Sequence, residues 1–343
     1  MLRRQLCGCL CLVSLLMLSG CGGKPNGAGE GSASGSSDVG GKSSTAGKSG
    51  KGTIGVSILT NTNPFFKTIG DSIKAKAAEA GYDTVVLSGD DKVEQQQSQV
   101  KDFIVQRVAA IVLCPCDSKA IGPVIQEANA AGIPVFTADI ACLAPEAKVV
   151  SHIATDNYAG GKQAAEAMIE ALGDRGGQVG ILDKKEVESC LLRVKGFKEV
   201  IDAHNAAHAD RAVTIVSELP SVGRQDIAFK SAEDMLQANP QLAGIFAIND
   251  PAALGARAAL EKAGKTEQVK IVGFDGQLDG KVAIRDGKIY ADPIQFPDRI
   301  GSMTVESILA YFAGEEVSPQ QLIPTAIYRK ADAEKDPEVI GAK

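Results

Sequence analysis

The sequence predicts an α/β protein built of two doubly wound parallel-sheet lobes. Short runs rich in Ile, Val and Leu alternate with stretches whose apolar residues recur at helical spacing. The apolar runs are continuous, as in strands of a parallel sheet covered on both faces. The alternation falls into two series, one from residue 53 and one from residue 178, in a chain of 343 residues, a length that suits about two domains. Two such lobes leave a cleft between them, a natural ligand site.

The stretch 53–66 organises the first series. An apolar run breaks into the polar turn Thr60-Asn61-Thr62-Asn63, and Phe66, Ile69, Ile73, Ala77 and Ala80 then recur at helical spacing up to Gly81. In an open parallel sheet the loop after a strand's carboxyl end touches the ligand, which places 60–66 there. Asn63 offers donors and acceptors, and Phe65 and Phe66 offer flat apolar faces, although at least one of the rings is expected in the core. Strand 83–88, helix 93–107, strand 109–114, helix 120–131 closed by Gly132, strand 133–138 and strand 149–154 follow. A longer helix at 158–172 leads into the second series: strands 178–182, 213–218, 244–248 and 270–274, with helices 191–204, 226–239 and 251–264 between them.

Residues 1–21 do not belong to that fold. Arg3 and Arg4 precede an uncharged apolar stretch at 6–18, too short to span a membrane comfortably, which fits a secretory signal. It ends Leu18-Ser19-Gly20-Cys21, which resembles the bacterial lipoprotein signal, and that resemblance makes Cys21 the lipidated mature N-terminus. Residues 22–51 are nearly all Gly, Ser, Ala and Lys and read as a flexible tether. Gly47-Lys48-Ser49 looks like the end of a phosphate loop, but the spacing to Gly41 is one residue too long and no strand precedes it. A net charge of -6 argues against nucleic acid as a partner, because phosphate binding needs a basic face.

Ordered motifs then carry a family resemblance. Asn63-Pro-Phe-Phe66, Ser118-Lys-Ala-Ile121, Gly132-Ile-Pro-Val135 leading to Asp139, Ser151-His-Ile-Ala-Thr-Asp-Asn157, Phe246-Ala-Ile-Asn-Asp250, Val272-Gly-Phe-Asp-Gly276 and Pro293-Ile-Gln-Phe-Pro-Asp298 occur in sequence. Together, over about 52–329, the chain resembles periplasmic sugar-binding proteins of the ribose-binding type, the type I periplasmic-binding-protein fold. The resemblance implies lobes joined by three crossings, with one lobe at 52–155 plus 296–326 and the other at 156–295 plus a tail at 327–343.

Carried over position by position, the resemblance implies a ligand set of Asn63, Phe65, Phe66, Asp139, Arg193, Asn249, Asp275 and Gln295. Ionised Asp only accepts, Arg only donates and Asn or Gln does both, a mixture suited to a neutral polyol. Plainer roles stay open. Asp275 could shape a turn, Asn249 cap a helix, Gln295 serve a hinge and Arg193 lie on a helix surface. Two departures stand out: Ile140 where the ribose-binding type places an Arg, and no aromatic near Gly223, where the family closes a ring over the sugar. Arg224 could supply charge from that side.

Beyond the leader the cysteines are Cys114, Cys116, Cys142 and Cys190. An exported protein meets oxidising conditions, and four thiols allow three connectivities. Cys116 and Cys142 each follow one of two adjacent predicted strands, so a bridge between them is expected to brace the loop bearing Asp139. Cys114-Pro-Cys116 lacks the spacing of a zinc clamp.

The resulting expectation is a monomeric, lipid-anchored extracytoplasmic solute-binding protein. It would close over a sugar-like ligand, ribose or a related monosaccharide or polyol, and present it to the permease of an ABC importer. No catalysis and no cofactor are expected. The alternative is a receptor for a sugar-like signal that feeds a chemoreceptor or sensor kinase. Asp139 and Asp275 could be imagined as a glycosidase pair, but fold and motifs favour binding.

Overall fold

The computed structural model describes residues 50–342. The expected leader, Cys21 and all but the last two residues of the tether lie outside the described residues.

The first lobe opens with β1 (Thr53–Ile58), five of whose six residues are buried. The turn after it ends where Asn63 Oδ1 accepts the Phe65 N–H at 3.0 Å and Pro64 starts α1 (Pro64–Glu79). There follow β2 (Asp83–Ser88), α2 (Val93–Gln106), β3 (Ala110–Leu113), α3 (Gly122–Ala130), β4 (Val135–Ala138) and β5 (Ser151–Thr155). The second lobe holds α4 (Asn157–Leu172), β6 (Gly177–Asp183), α5 (Glu188–Ala207), β7 (Val213–Pro220) and α6 (Gln225–Ala238). It continues with β8 (Leu242–Ala247), α7 (Asp250–Ala263), β9 (Lys270–Val272), α8 (Leu278–Arg285) and β10 (Ala291–Ile294). Then come α9 (Pro297–Ala313), β11 (Gln320–Ile323), β12 (Ala326–Arg329), α10 (Lys330–Ala333) and α11 (Pro337–Gly341).

The strands form two six-stranded sheets, ordered β11-β5-β4-β3-β1-β2 and β12-β10-β9-β8-β6-β7. All neighbours are parallel except β10 and β12. The chain crosses between the sheets three times: after β5, after β10 and between β11 and β12. The last crossing falls at 324–325, slightly earlier than the resemblance implies. One apolar cluster runs from β1 and α1 through α4, α5 and α9, and two others fill the α2/α3 and α6/α7 faces. Both faces of both sheets are thereby covered, which is why the strands read as unbroken apolar runs.

Several element ends differ from the sequence reading, for local reasons. The helix expected to reach Arg107 stops at Gln106, because Arg107 adopts the left-handed cap conformation at φ 54°. The strand expected from 133 starts at Val135, after Pro134, which has no N–H to give a ladder. Beyond 274 the sequence reading places no element, and the structure adds α8, β10, α9, β11 and β12, the last two only four residues long and at sheet edges.

Strand order reverses beside β1 in one sheet and beside β6 in the other, so each lobe has a switch point. The loops at the carboxyl ends of β1, β4, β6, β7, β8, β9 and β10 meet between the lobes.

Candidate functional site

Those loops enclose a cavity with about 50 Å³ open to the centres of water molecules. All eight residues in the expected ligand set line it: Asn63, Phe65, Phe66 and Asp139 from the first lobe, and Arg193, Asn249, Asp275 and Gln295 from the second or its hinge. Ile140, Gly223 and Arg224 line it as well.

Arg193 is the buried hub. Its Nε donates to Asn157 Oδ1 at 2.7 Å, and its Nη1 donates to the Ile248 carbonyl at 2.6 Å and to Asp275 Oδ1 at 3.1 Å. The guanidinium also lies 3.8 Å from the centre of the Phe274 ring. A close helix contact holds it there. A methyl on Gly161 would lie 2.1 Å from the Arg193 carbonyl oxygen, and one on Gly196 2.2 Å from that of Tyr158, so α4 and α5 touch backbone to backbone. Arg193 is thus not the surface residue that a mid-helix position leaves open.

Asp275 Oδ1 also accepts from Gln295 Nε2 at 2.6 Å, and the Gln295 N–H donates to the Asp275 carbonyl at 2.8 Å. Gln295 Oε1 is buried without a partner. Burial pushes Asp275 above the usual carboxylate range, opposed chiefly by Arg193. Beneath it, Asp250 and Asp292 are two further buried carboxyl groups, and both oxygens of Asp292 lack a hydrogen-bond partner. Burial raises both; Asp292 raises Asp250 further, while Asp250 opposes the rise of Asp292, which is pushed up to about 6.

Asp139 stands at the end of β4 with φ 66°, a left-handed geometry that turns its carboxylate out of the sheet into the cavity. It is 2% exposed and its Oδ1 has no hydrogen-bond partner. Burial pushes it up to about 7; Arg193 opposes the shift, and Asp275 and Glu188 add to it. Phe65 and Phe66 meet edge to face at 5.2 Å, and both are at once core residues and cavity wall. Asn63 and Asn249 each spend an oxygen on a helix cap, and Asn249 Nδ2 also donates to the Gly223 carbonyl at 3.1 Å.

The sequence reading missed part of the wall. Asp91, Lys184, Ser189 and Cys190 also line the cavity, beside Thr60 and Thr62 of the expected 60–66 loop. Lys184 Nζ reaches Asp91 Oδ1 at 2.7 Å and so joins the lobes across the cleft. Nearby, the Ser118 N–H donates to the Glu186 carbonyl and Ser118 Oγ accepts the Glu188 N–H, each at 2.9 Å. Asp91 and Lys184 each follow a predicted strand, so the rule that pointed to Asp139 could have found them. Arg224, half exposed, pairs with Asp226 at the surface.

The expected Cys116–Cys142 bridge is not formed, and all four cysteines of the fold are free. Cys116 Sγ lies 3.7 Å from the Leu59 carbonyl within the apolar cluster of β1 and α1, while Cys142 packs on the α2/α3 side. Adjacent strands end side by side, but these thiols face different cores. Burial pushes Cys116 and Cys190 up to about 12, which makes them poor nucleophiles. No cluster of three or more metal-ligating side chains occurs among the described residues.

Residues 54–316 match the family model described as the periplasmic binding protein domain. The chain belongs to the periplasmic binding protein family. Among curated members of that family, it is 34% identical over 267 residues to the ribose import binding protein RbsB of Escherichia coli K12, covering 78% of this chain and 87% of that one. It is also 34% identical over 284 residues to the D-apiose import binding protein of Paraburkholderia graminis, covering 82% and 88%. Among solved structures of periplasmic binding proteins, it is similar to an ABC transporter periplasmic solute binding protein from Actinobacillus succinogenes with bound D-allose. That match has a TM-score of 0.75 and 27% identity and covers 83% of this chain and all of that one. The resemblance drawn from the ordered motifs and the two-lobed fold are therefore both established.

Proposed function

We propose that this protein captures a sugar-like ligand, a monosaccharide or related polyol, between its lobes and delivers it to an ABC importer from outside the cytoplasm, tethered through Cys21. The observation that carries the reading is the convergence of eight polar and aromatic residues, drawn from strand-end loops of both lobes and from α5, on one small cavity. Its wall combines flat apolar rings with pure acceptors, a pure donor and amides, the complement of a hydroxylated ring. Each hydrogen bond to a charged group contributes about 1.5–3 kcal/mol, enough for selectivity where several converge. Relatives named for ribose and apiose import and a solved structure with bound allose support the ligand class.

Closure is a population shift in which ligand contacts on both lobes favour the closed form that a permease recognises. The chemistry needs no covalent step, and the protein acts as a single copy. No helix among the described residues is long and apolar enough to cross a membrane.

The test is a thermal-shift panel of pentoses, hexoses and polyols on the full chain, freed of carried ligand by unfolding and refolding. A ligand at a hundred times its Kd adds about 2.7 kcal/mol, a rise of several degrees. Asp139→Ala is expected to abolish the shift, and a wild-type protein silent to the whole panel would overturn the reading.

A further inference from the structure

The charges buried around the cleft do not balance. Asp139 and Asp275 both face the cavity, and Arg193 is the one guanidinium buried with them among the described residues, committed to Asp275 at 3.1 Å. The other cations at the wall are engaged elsewhere. Lys184 is held by Asp91 at 2.7 Å, and Arg224 pairs with Asp226 at the surface.

Below the floor, Asp250 and Asp292 add acid rather than base. Beside Asp139, where an arginine would neutralise it, stands the buried hydrocarbon of Ile140. Asp139 makes no ion pair among the described residues, and its Oδ1 has no donor. The second orphan in the wall, Gln295 Oε1, is likewise an acceptor.

With Asp139 ionised, the cavity therefore lacks donors and lacks one positive charge. A neutral hydroxyl meets the first need but leaves a buried carboxylate uncompensated, which is costly in a low-dielectric site. An ammonium meets both, because it carries three donors, no acceptor and a full charge. We propose that the ligand is a polyhydroxylated molecule bearing one protonated amine, an amino sugar or amino polyol, whose ammonium sits against Asp139. This rests on the sugar-type reading of the cleft and narrows it.

Calorimetric titration of the full chain with matched pairs at about pH 7 tests it: glucosamine against glucose, galactosamine against galactose, and glucamine against sorbitol. At least one amine is expected to bind about tenfold or more tightly than its hydroxyl parent, a difference of about 1.4 kcal/mol. That advantage should vanish in Asp139→Asn, which keeps the shape and removes the charge. Should that variant fail to fold, Ile140→Arg gives the complementary readout, because a guanidinium beside Asp139 should turn the preference toward the neutral parent. Neutral parents that bind as well as or better than their amines would overturn the inference and leave the sugar-type reading standing. Failure of every compound in both sets would overturn the sugar-type reading and the inference with it.

Discussion

Arg193→Met tests whether the hub under the cleft is an ion pair or merely a packed stem. Arg193 and Asp275 meet at 3.1 Å with side chains 4% and 3% exposed, so the pair has little solvent screening. Methionine keeps a flexible apolar stem over Phe274 but strands the carboxylate and deprives the Ile248 carbonyl of its donor. Removing one partner of a buried pair costs about 3–5 kcal/mol. At roughly 2–4 °C per kcal/mol for a chain of this size, Tm should fall by about 6–20 °C.

The loss should be largest at about pH 7.5 and shrink near pH 4.5. Asp275 is already raised by burial, and without its cation it protonates more readily still. Adding Asp275→Asn removes the stranded charge, so urea unfolding of the double variant should recover about 2–3 kcal/mol relative to the sum of the single losses. If the double variant loses the full sum at both pH values, charge is not what Arg193 contributes and the reasoning fails.

Three more outcomes are expected. Asp139, Asp183 and Asp292 are raised by burial to about 7, 6 and 6, so the folded chain holds protons that the unfolded chain releases above its ordinary carboxylate range. Each therefore lowers stability as pH rises from about 4 to 7, and Asp292→Asn should gain about 1–3 kcal/mol at pH 7.5 and little at pH 4 in denaturant melts. His152 works the other way: lowered to about 4 by burial, it costs stability as pH falls from 6.5 through 4 and so opposes what these carboxyl groups contribute in acid. Lys184→Met should weaken ligand binding about three- to tenfold without reordering ligand preference, as read by titration across a sugar panel, because it loosens closure and spares Asp139 and Arg193. Gly196→Ala drives a methyl to 2.2 Å from the Tyr158 carbonyl and should cost about 2 kcal/mol or more while displacing Arg193, so melting temperature and ligand affinity should fall together.

Fold and site were legible to different depths. The central strands and their helices showed in the sequence because both sheet faces are covered, which forces unbroken apolar runs next to strongly periodic ones. The edge strands β11 and β12 did not, since four residues with a solvated side carry almost no pattern. Seven of the eight expected site residues meet at one cavity because ordered motifs fixed them at or just after strand ends, which a parallel sheet brings together, and Arg193 reaches it from α5. Side-chain direction was the part that could not be read. Cys116 and Cys142 end neighbouring strands yet turn to different cores, and Asn249 and Asp275 both shape local backbone and line the cavity, so the plain and functional roles coexist. Asp91 and Lys184 were overlooked because each looks like an ordinary surface charge until its partner in the other lobe is known.

That pair of charges separates two properties usually thought to be tied. Grip on the ligand is the product of how well the closed chamber fits it and how often the empty protein closes. Asp91 and Lys184 sit at the cleft and bear on the second factor, while Asp139, Arg193 and Asp275 bear on the first. Substitutions at the rim can then retune the concentration at which the protein loads, and the ease with which a transporter pries it open, while the choice of cargo stays unaltered.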